Sequence, residues 1–226
     1  MFSAILRSLR SNFNNVSPRL QLSLAGAAIE TLMVGYDFAV MNETVDFISI
    51  MGYDYRAWEQ GYPVTGHHSA LYPSQFDISY MKTLNLNWTA FHYLEKGLSK
   101  NKIVLGMPTY SIGWKLMFTH IHGVYAPAVG DADPEELFRG EICSFLKQNV
   151  TNYEWDDHAK EPYASNGRNW YSFDNEKSVT LKCNLIKQEL FGGAMLFSLD
   201  ADVDFNRTCG SQSDFPLHYL VTKLLQ

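Results

Sequence analysis

Four short, nearly uninterrupted apolar runs constrain this chain more than anything else in it: residues 21–27 (QLSLAGA), 45–53 (VDFISIMGY), 102–110 (KIVLGMPTY) and 193–200 (GAMLFSLD). A strand with one wet face alternates apolar and polar residues, whereas runs without alternation belong to strands covered on both faces, as in parallel sheets flanked by helices. Helices are predicted between them, over residues 2–13, 87–98 and 178–190. Asn87 and Ser178 serve as N-caps, and Gly97 lies near the stop of the second. Alternating helix and strand defines an α/β protein. The stretch 111–177 is far longer than the usual connection of about 2 to 6 residues. Its turn-forming segments (GVYAPAVGDADP, EPYASNGRNWYSFD) predict a small α+β subdomain inserted after the third strand. The domain reading is therefore 1–110 for the first part of the parallel unit, 111–177 for the insertion, and 178–226 for the last helix and strand with the C-terminal segment. An insertion at the C-terminal end of a strand stands where α/β barrels keep their active sites, and walls a cleft there.

Charge narrows the partners. With 18 basic against 24 acidic residues the net charge is -6, which leaves no electrostatic footprint for nucleic acid or an anionic membrane. No run approaches the roughly 18 uncharged apolar residues that cross a bilayer. The N-terminal MFSAILRSLRSNF carries Arg7 and Arg10 where a signal peptide would be apolar, and reads as an amphipathic helix. N-glycosylation acceptor patterns at Asn15, Asn42, Asn87, Asn149 and Asn206 favour a secretory history and an extracellular location, so the expectation is a chain that begins within a longer gene product. Cys143, Cys183 and Cys209 fit one disulfide and one leftover thiol, with three pairings open.

The second apolar run ends in Met51-Gly-Tyr53-Asp54-Tyr55, followed by Trp58. A phenol and a carboxylate emerging directly from a buried strand point into the mouth of the sheet, the placement expected of site residues. Tyr110, closing the third run after Pro108, has the same placement. Asp200, Asp202 and Asp204 imitate a calcium loop, but Phe205 and Ser211 stand where its glycine and glutamate are required, so they read as solvated or barrel-capping aspartates. His67-His68 and His120-Ile-His122 lack a cysteine or carboxylate cluster, so no metal is expected. Neither CxxC, G-x-S-x-G nor a phosphate-binding loop occurs, and no cofactor is expected.

The motifs VDFISIMGYDYRAW, TGHHSALY, KIVLGMPTY, EIC, EPY, NWYSFD and FGGAMLFSLDAD, in this order, resemble the C-terminal half of a glycoside hydrolase family 18 chitinase. The resemblance implies a partial TIM (β/α)8 barrel, strands five to eight, with the α+β chitinase insertion subdomain. It implies that Tyr53 and Asp54 orient the substrate's acetamido group and stabilise the intermediate. Met51, Trp58, Tyr110, Met195 and Phe197 are then substrate-binding, and Cys143 is joined to Cys209 with Cys183 free. The ligand implied is chitin or an N-acetylglucosamine oligomer, cleaved by substrate-assisted retaining chemistry in the full-length family. Departures accompany the matches. The family's Asp-x-x-Asp-x-Asp-x-Glu, whose glutamate is the general acid, is not in this chain. Phe197 replaces the tryptophan floor of the central sugar site, and Ser111-Ile112 replaces a Gly-Arg. The expectations are a chain without catalysis of its own, acting as a chitinase-like lectin or as a fragment that needs its N-terminal half, and self-association through exposed barrel edges.

Overall fold

The computed structural model describes residues 1–226. It runs α1 (Phe2–Asn14), β1 (Ser23–Gly26), α2 (Phe38–Thr44), β2 (Phe47–Ile50), α3 (Leu86–Glu95), β3 (Ile103–Pro108), β4 (Ser111–Leu116), β5 (Ala128–Leu137), α4 (Arg139–Leu146), β6 (Asn152–Asp156), β7 (Glu161–Asn166), β8 (Asn169–Phe173), α5 (Glu176–Glu189), β9 (Gly193–Phe197) and α6 (Pro216–Leu225). The four apolar runs form one parallel sheet in the order β1-β2-β3-β9. The other five strands form an antiparallel sheet, β5-β4-β8-β7-β6, entered from β3 and left into α5.

Helices cover one face of the parallel sheet only. Ile48, Ile50, Ile103, Leu105 and Met107 are buried there against Leu86, Ala90 and Tyr93 of α3, Val179, Cys183 and Ile186 of α5, and Leu217 and Val221 of α6. At about 25 cal/mol per Å² of apolar surface removed from water, this layer is the main source of cohesion. The opposite face is open. Ser23 and Ala25 are exposed, Phe47, Ser49 and Val104 are half-buried, and together with Met195 several of these line a hollow. Burial on both faces, expected from the unbroken apolar runs, is therefore corrected: within these residues nothing lies over the inner face, and β1 and β9 keep unpaired outer edges.

Arg10 explains how α1 is seated. Its guanidinium is nearly buried, donating to the Thr44 carbonyl and to Asp46 Oδ2, both at 2.6 Å. Burial opposes ionisation of Asp46, yet hydrogen bonds from the Leu22 N–H, Arg19 and Arg10 hold its carboxyl at about 2.

Both predicted N-caps lie inside their helices and are corrected. Asn85, not Asn87, caps α3 by accepting the Trp88 N–H at 2.9 Å. Asn175 caps α5: its side chain accepts the Ser178 N–H while Ser178 Oγ accepts the Asn175 N–H, so the serine is the partner three residues on in a reciprocal box. The short helices α2 and α4, and α6, were not anticipated. Asp202 organises α6 by accepting the N–H groups of Leu217 and His218, and Asp204 accepts those of Thr208 and Cys209. Of the three aspartates read as solvated or barrel-capping, Asp200 is exposed, whereas Asp202 caps α6 and both Asp202 and Asp204 are buried. Cys143 on α4 is bonded to Cys209 beyond β9, and Cys183 is free and buried. No helix is long and apolar enough to cross a membrane.

Candidate functional site

The site forms where β2 and β3 end side by side. At Gly52 a Cβ atom would stand 2.6 Å from the Gly106 carbonyl oxygen, so only glycine lets the strand end run against its neighbour. The chain then turns through Asp54, whose φ of 58° is left-handed, a conformation that aspartate tolerates better than most residues. This strained backbone aims the carboxylate across the strand ends. Tyr110 Oη donates to Asp54 Oδ1 at 2.6 Å, and His68 Nδ1 lies 3.6 Å from the same oxygen. Burial works against the Asp54 charge, but the contacts of His68 and Tyr110 outweigh it and hold the carboxyl below its usual range. Burial and the bond to Asp54 push the Tyr110 hydroxyl far up, so it stays a donor.

Aromatic rings wall the carboxylate. Tyr53 is stacked on Phe197 with centroids 5.6 Å apart and planes 19° apart, and Tyr110 stands edge-on to both. Burial and Asp54 push the Tyr53 phenol up to about 12. Phe197 keeps half of its surface exposed, offering a flat apolar plate. Trp58 and Met195 pack on the same cluster as Tyr53 and Tyr110. Met51 is exposed at the mouth and is not part of this cluster. Of the residues singled out in the sequence, Tyr53, Asp54, Trp58, Tyr110, Met195 and Phe197 are thus brought together.

Beneath the site lies a buried polar network. Ser69 Oγ donates to the Gly52 carbonyl at 2.8 Å, Lys182 Nζ donates to Ser69 Oγ at 2.9 Å and to Asp174 Oδ2 at 2.5 Å, and Glu161 accepts from Ser172 Oγ at 2.7 Å. His67 Nε2 meets Asp156 Oδ2 at 3.2 Å, and Ser74 Oγ donates to that oxygen at 2.8 Å. Burial opposes the Asp156 charge, but His67, the Ala159 N–H and Ser74 together depress its carboxyl strongly. These contacts fix the 65–69 loop, α5 and the antiparallel sheet around the strand end that carries Tyr53 and Asp54.

Two residues escaped the sequence reading. His68 was weighed only as a metal ligand beside His67; it is fully buried against Asp54 and Tyr110. Glu136 reaches the cleft through long-range pairing, being the cross-strand partner of Ile112, a relation that no local pattern announces. No three His, Cys, Asp or Glu side chains gather as a metal site.

A carboxylate with one oxygen committed to Tyr110 and no hydrogen bond on the other, set among exposed aromatic faces, suits a ligand that carries an N–H donor and an apolar face. The family described as Glycosyl hydrolases family 18 matches residues 1–202. The oviduct-specific glycoprotein of Sus scrofa is 33% identical over 217 residues, covering 92% of this chain and 39% of that protein. Its Homo sapiens counterpart is 32% identical, covering 92% and 30%. Among solved structures, an immunomodulatory active chitinase from Trichuris suis superposes with a TM-score of 0.93 at 30% identity, over 100% of this chain and 64% of the other. Human YKL-39, described as a pseudo-chitinase with retained chitooligosaccharide binding properties, gives 0.92 at 28% identity over 99% and 64%. A Group IV chitinase of Ostrinia furnacalis in complex with allosamidin gives 0.90 at 31% identity over 99% and 61%. The chain thus spans under two fifths of these curated relatives and under two thirds of these solved chains.

Proposed function

The chain belongs to glycosyl hydrolase family 18, and on that premise we propose that it binds chitin or N-acetylglucosamine oligomers at Asp54 and does not hydrolyse them by itself. The observation that carries this reading is the Tyr110 to Asp54 hydrogen bond, which leaves the other carboxylate oxygen without a hydrogen bond while the Tyr110 ring stands edge-on to Tyr53 and Phe197. That oxygen accepts the acetamido N–H of a bound sugar, while Phe197 supports its apolar face. Trp58, Met195 and Met51 extend the contact along the cleft.

In substrate-assisted hydrolysis the acetamido oxygen attacks the anomeric carbon and a carboxylic acid protonates the leaving oxygen. Asp54 and Tyr53 serve the first event by orienting the acetamido group and stabilising the charge that develops on it. The second needs a general acid, worth about 100- to 10,000-fold, and the Asp-x-x-Asp-x-Asp-x-Glu that would carry it is not among these residues. A second reading, hydrolysis once the chain is joined to the remainder of a barrel, is favoured by the intact Tyr53, Asp54 and Tyr110 geometry. In both readings β1, β2, β3 and β9 are strands five to eight of an eight-stranded barrel. The segments 1–110 and 178–226 are then the barrel portions, and 111–177 is the insertion.

The proposed location is extracellular. The Cys143 to Cys209 bond suits an oxidising compartment. Asn15, Asn149 and Asn206 are exposed acceptors, whereas Asn42 and Asn87 lie in helices with Thr44 and Thr89 buried. Occupancy is therefore proposed at the first three. Calorimetric titration with tetra-N-acetylchitotetraose tests the central claim. Saturable binding, weakened about ten-fold or more in Asp54→Ala and in Phe197→Ala, is the expected result. Absence of binding by the folded chain overturns it.

A further inference from the structure

The cleft holds a second carboxylate that no part of the reading above employs. Glu136 pairs with Ile112 across β4 and β5, and cross-strand partners project to the same face. Ile112 packs in the cluster of Tyr53 and Tyr110, while the neighbouring Leu137 packs in the other cluster, with Tyr171 and Phe173. Glu136 therefore stands on the Asp54 side of the antiparallel sheet. It forms no hydrogen bond and no ion pair, and neither do the side chains of Asp131 and Glu135 on the same strand. No lysine or arginine pairs with Asp54 either; the ring nitrogen it meets is His68 Nδ1, 3.6 Å from its Oδ1.

His68 supplies the independent sign that this place is built for a ligand. Its ring is fully buried, its backbone is pinned by the Ser172 hydroxyl and the Tyr55 N–H, and both ring nitrogens lack a hydrogen-bond partner while Nδ1 faces Asp54. A buried imidazole without a hydrogen-bond partner, beside carboxylates that no lysine or arginine neutralises, is costly in an empty site. A cation between the carboxylates relieves their repulsion. Burial, Asp54 and Glu135 raise the Glu136 carboxyl and only His68 opposes them, as expected of an acidic group with no basic neighbour.

Resting on the sugar-binding reading, we propose that the cleft recognises partly de-N-acetylated oligomers, with an acetamido sugar at Asp54 and an adjacent glucosamine whose ammonium is held by Glu136. The fit is chemical. N-acetylglucosamine and glucosamine share the apolar face that Phe197 accepts, and they differ in whether the 2-amino group is a neutral amide or a cation. Glu136, a carboxylate on the Asp54 side of the sheet with no hydrogen bond or ion pair of its own, reads that difference. A partly exposed ion pair contributes modestly, so the preference is about two- to five-fold at low salt and fades as screening increases.

The test compares two probes on the 226-residue chain by calorimetry at pH 7: chitotetraose carrying two acetylated and two free amino sugars, and tetra-N-acetylchitotetraose. The expected result is tighter binding of the first by about two- to five-fold. That margin should be lost in Glu136→Gln and in wild-type protein at high salt. Equal or tighter binding of the acetylated tetramer by the wild-type chain overturns the proposal and leaves the sugar-binding function standing. So does a preference that survives Glu136→Gln. Failure of both tetramers to bind overturns both.

Discussion

Tyr110 Oη and Asp54 Oδ1 are 2.6 Å apart, a hydrogen bond that ties the end of β3 to the turn after β2. It is charge-assisted, which makes it stronger than a neutral pair, and it selects which carboxylate oxygen remains for a ligand. Asp54 is held in a left-handed conformation at φ 58° while Tyr110 is anchored among the rings of Tyr53 and Phe197. The site's geometry thus depends on a contact between two residues that are 56 positions apart.

Tyr110→Phe isolates that bond while keeping the ring. The folded carboxyl of Asp54 lies below its ordinary 3.8. Its stabilising contribution is therefore fully present above that value and is lost as pH falls through the lower folded value. The variant should raise the Asp54 carboxyl, read by NMR titration, and lower stability at neutral pH by about 1 kcal/mol. The stability gap between variant and wild type should close as the solution becomes more acidic than 3.8. An unchanged Asp54 titration would show that the bond does not set its ionisation.

Lys182 and Asp174 form a fully buried ion pair at 2.5 Å, and Lys182 also donates to Ser69, which holds the Gly52 carbonyl. Removing one member of such a pair leaves an uncompensated charge and costs about 3–5 kcal/mol. Lys182→Met should lower the denaturant midpoint sharply, and adding Asp174→Asn should recover part of the loss. Purely additive losses in this double-mutant cycle would exclude coupling between the two groups.

The parallel sheet was legible because apolar runs such as FISI and IVLGMP carry their burial in their composition, and the emergence of Tyr53 and Asp54 from β2 followed from strand length alone. The caps were legible in kind and misplaced in position, since Asn85 and Asn87, or Asn175 and Ser178, compete locally and only the backbone direction decides between them. The open inner face was hidden because a half-covered parallel sheet has the same residues as a covered one. His68 and Glu136 were hidden for another reason. One is defined by the side chains around it, the other by antiparallel pairing with β4, and neither relation leaves a periodic trace.

The disulfide and the free thiol should separate cleanly in chemistry. Cys143 and Cys209 are 66 positions apart, so the closed loop stabilises by about 4 kcal/mol on a chain-entropy estimate. Cys183 is buried in the layer between α5 and the sheet, and burial pushes its thiol to about 11. Non-reduced native protein should therefore resist alkylation and react at one thiol once denatured. Cys143→Ser with Cys209→Ser should lower the denaturant midpoint. Rapid alkylation of the native protein would contradict the burial of Cys183, and a peptide map with Cys183 in the bridge would contradict the pairing.

The open side of the parallel sheet governs how the 226-residue chain behaves by itself. β1 and β9 each present an unpaired parallel edge, and the face bearing Ser23, Ala25, Phe47, Ser49 and Val104 lacks a covering layer. Free strand edges next to partly wet apolar surface pair with other extended chains unless charge or proline blocks them. The LSLAG segment that contains β1 carries neither. Each Å² of apolar surface left wet forgoes about 25 cal/mol, against a total stability of about 5 to 15 kcal/mol for a typical domain. Sedimentation at rising concentration should therefore show species heavier than 25.8 kDa. Ala25→Lys sets a charge on the open face beside the β1 edge and should shift the distribution toward monomer without loss of the helix-covered core. A monodisperse 25.8 kDa monomer with a sharp cooperative melt would mean that the sheet edges are protected in solution by a rearrangement the structure does not contain.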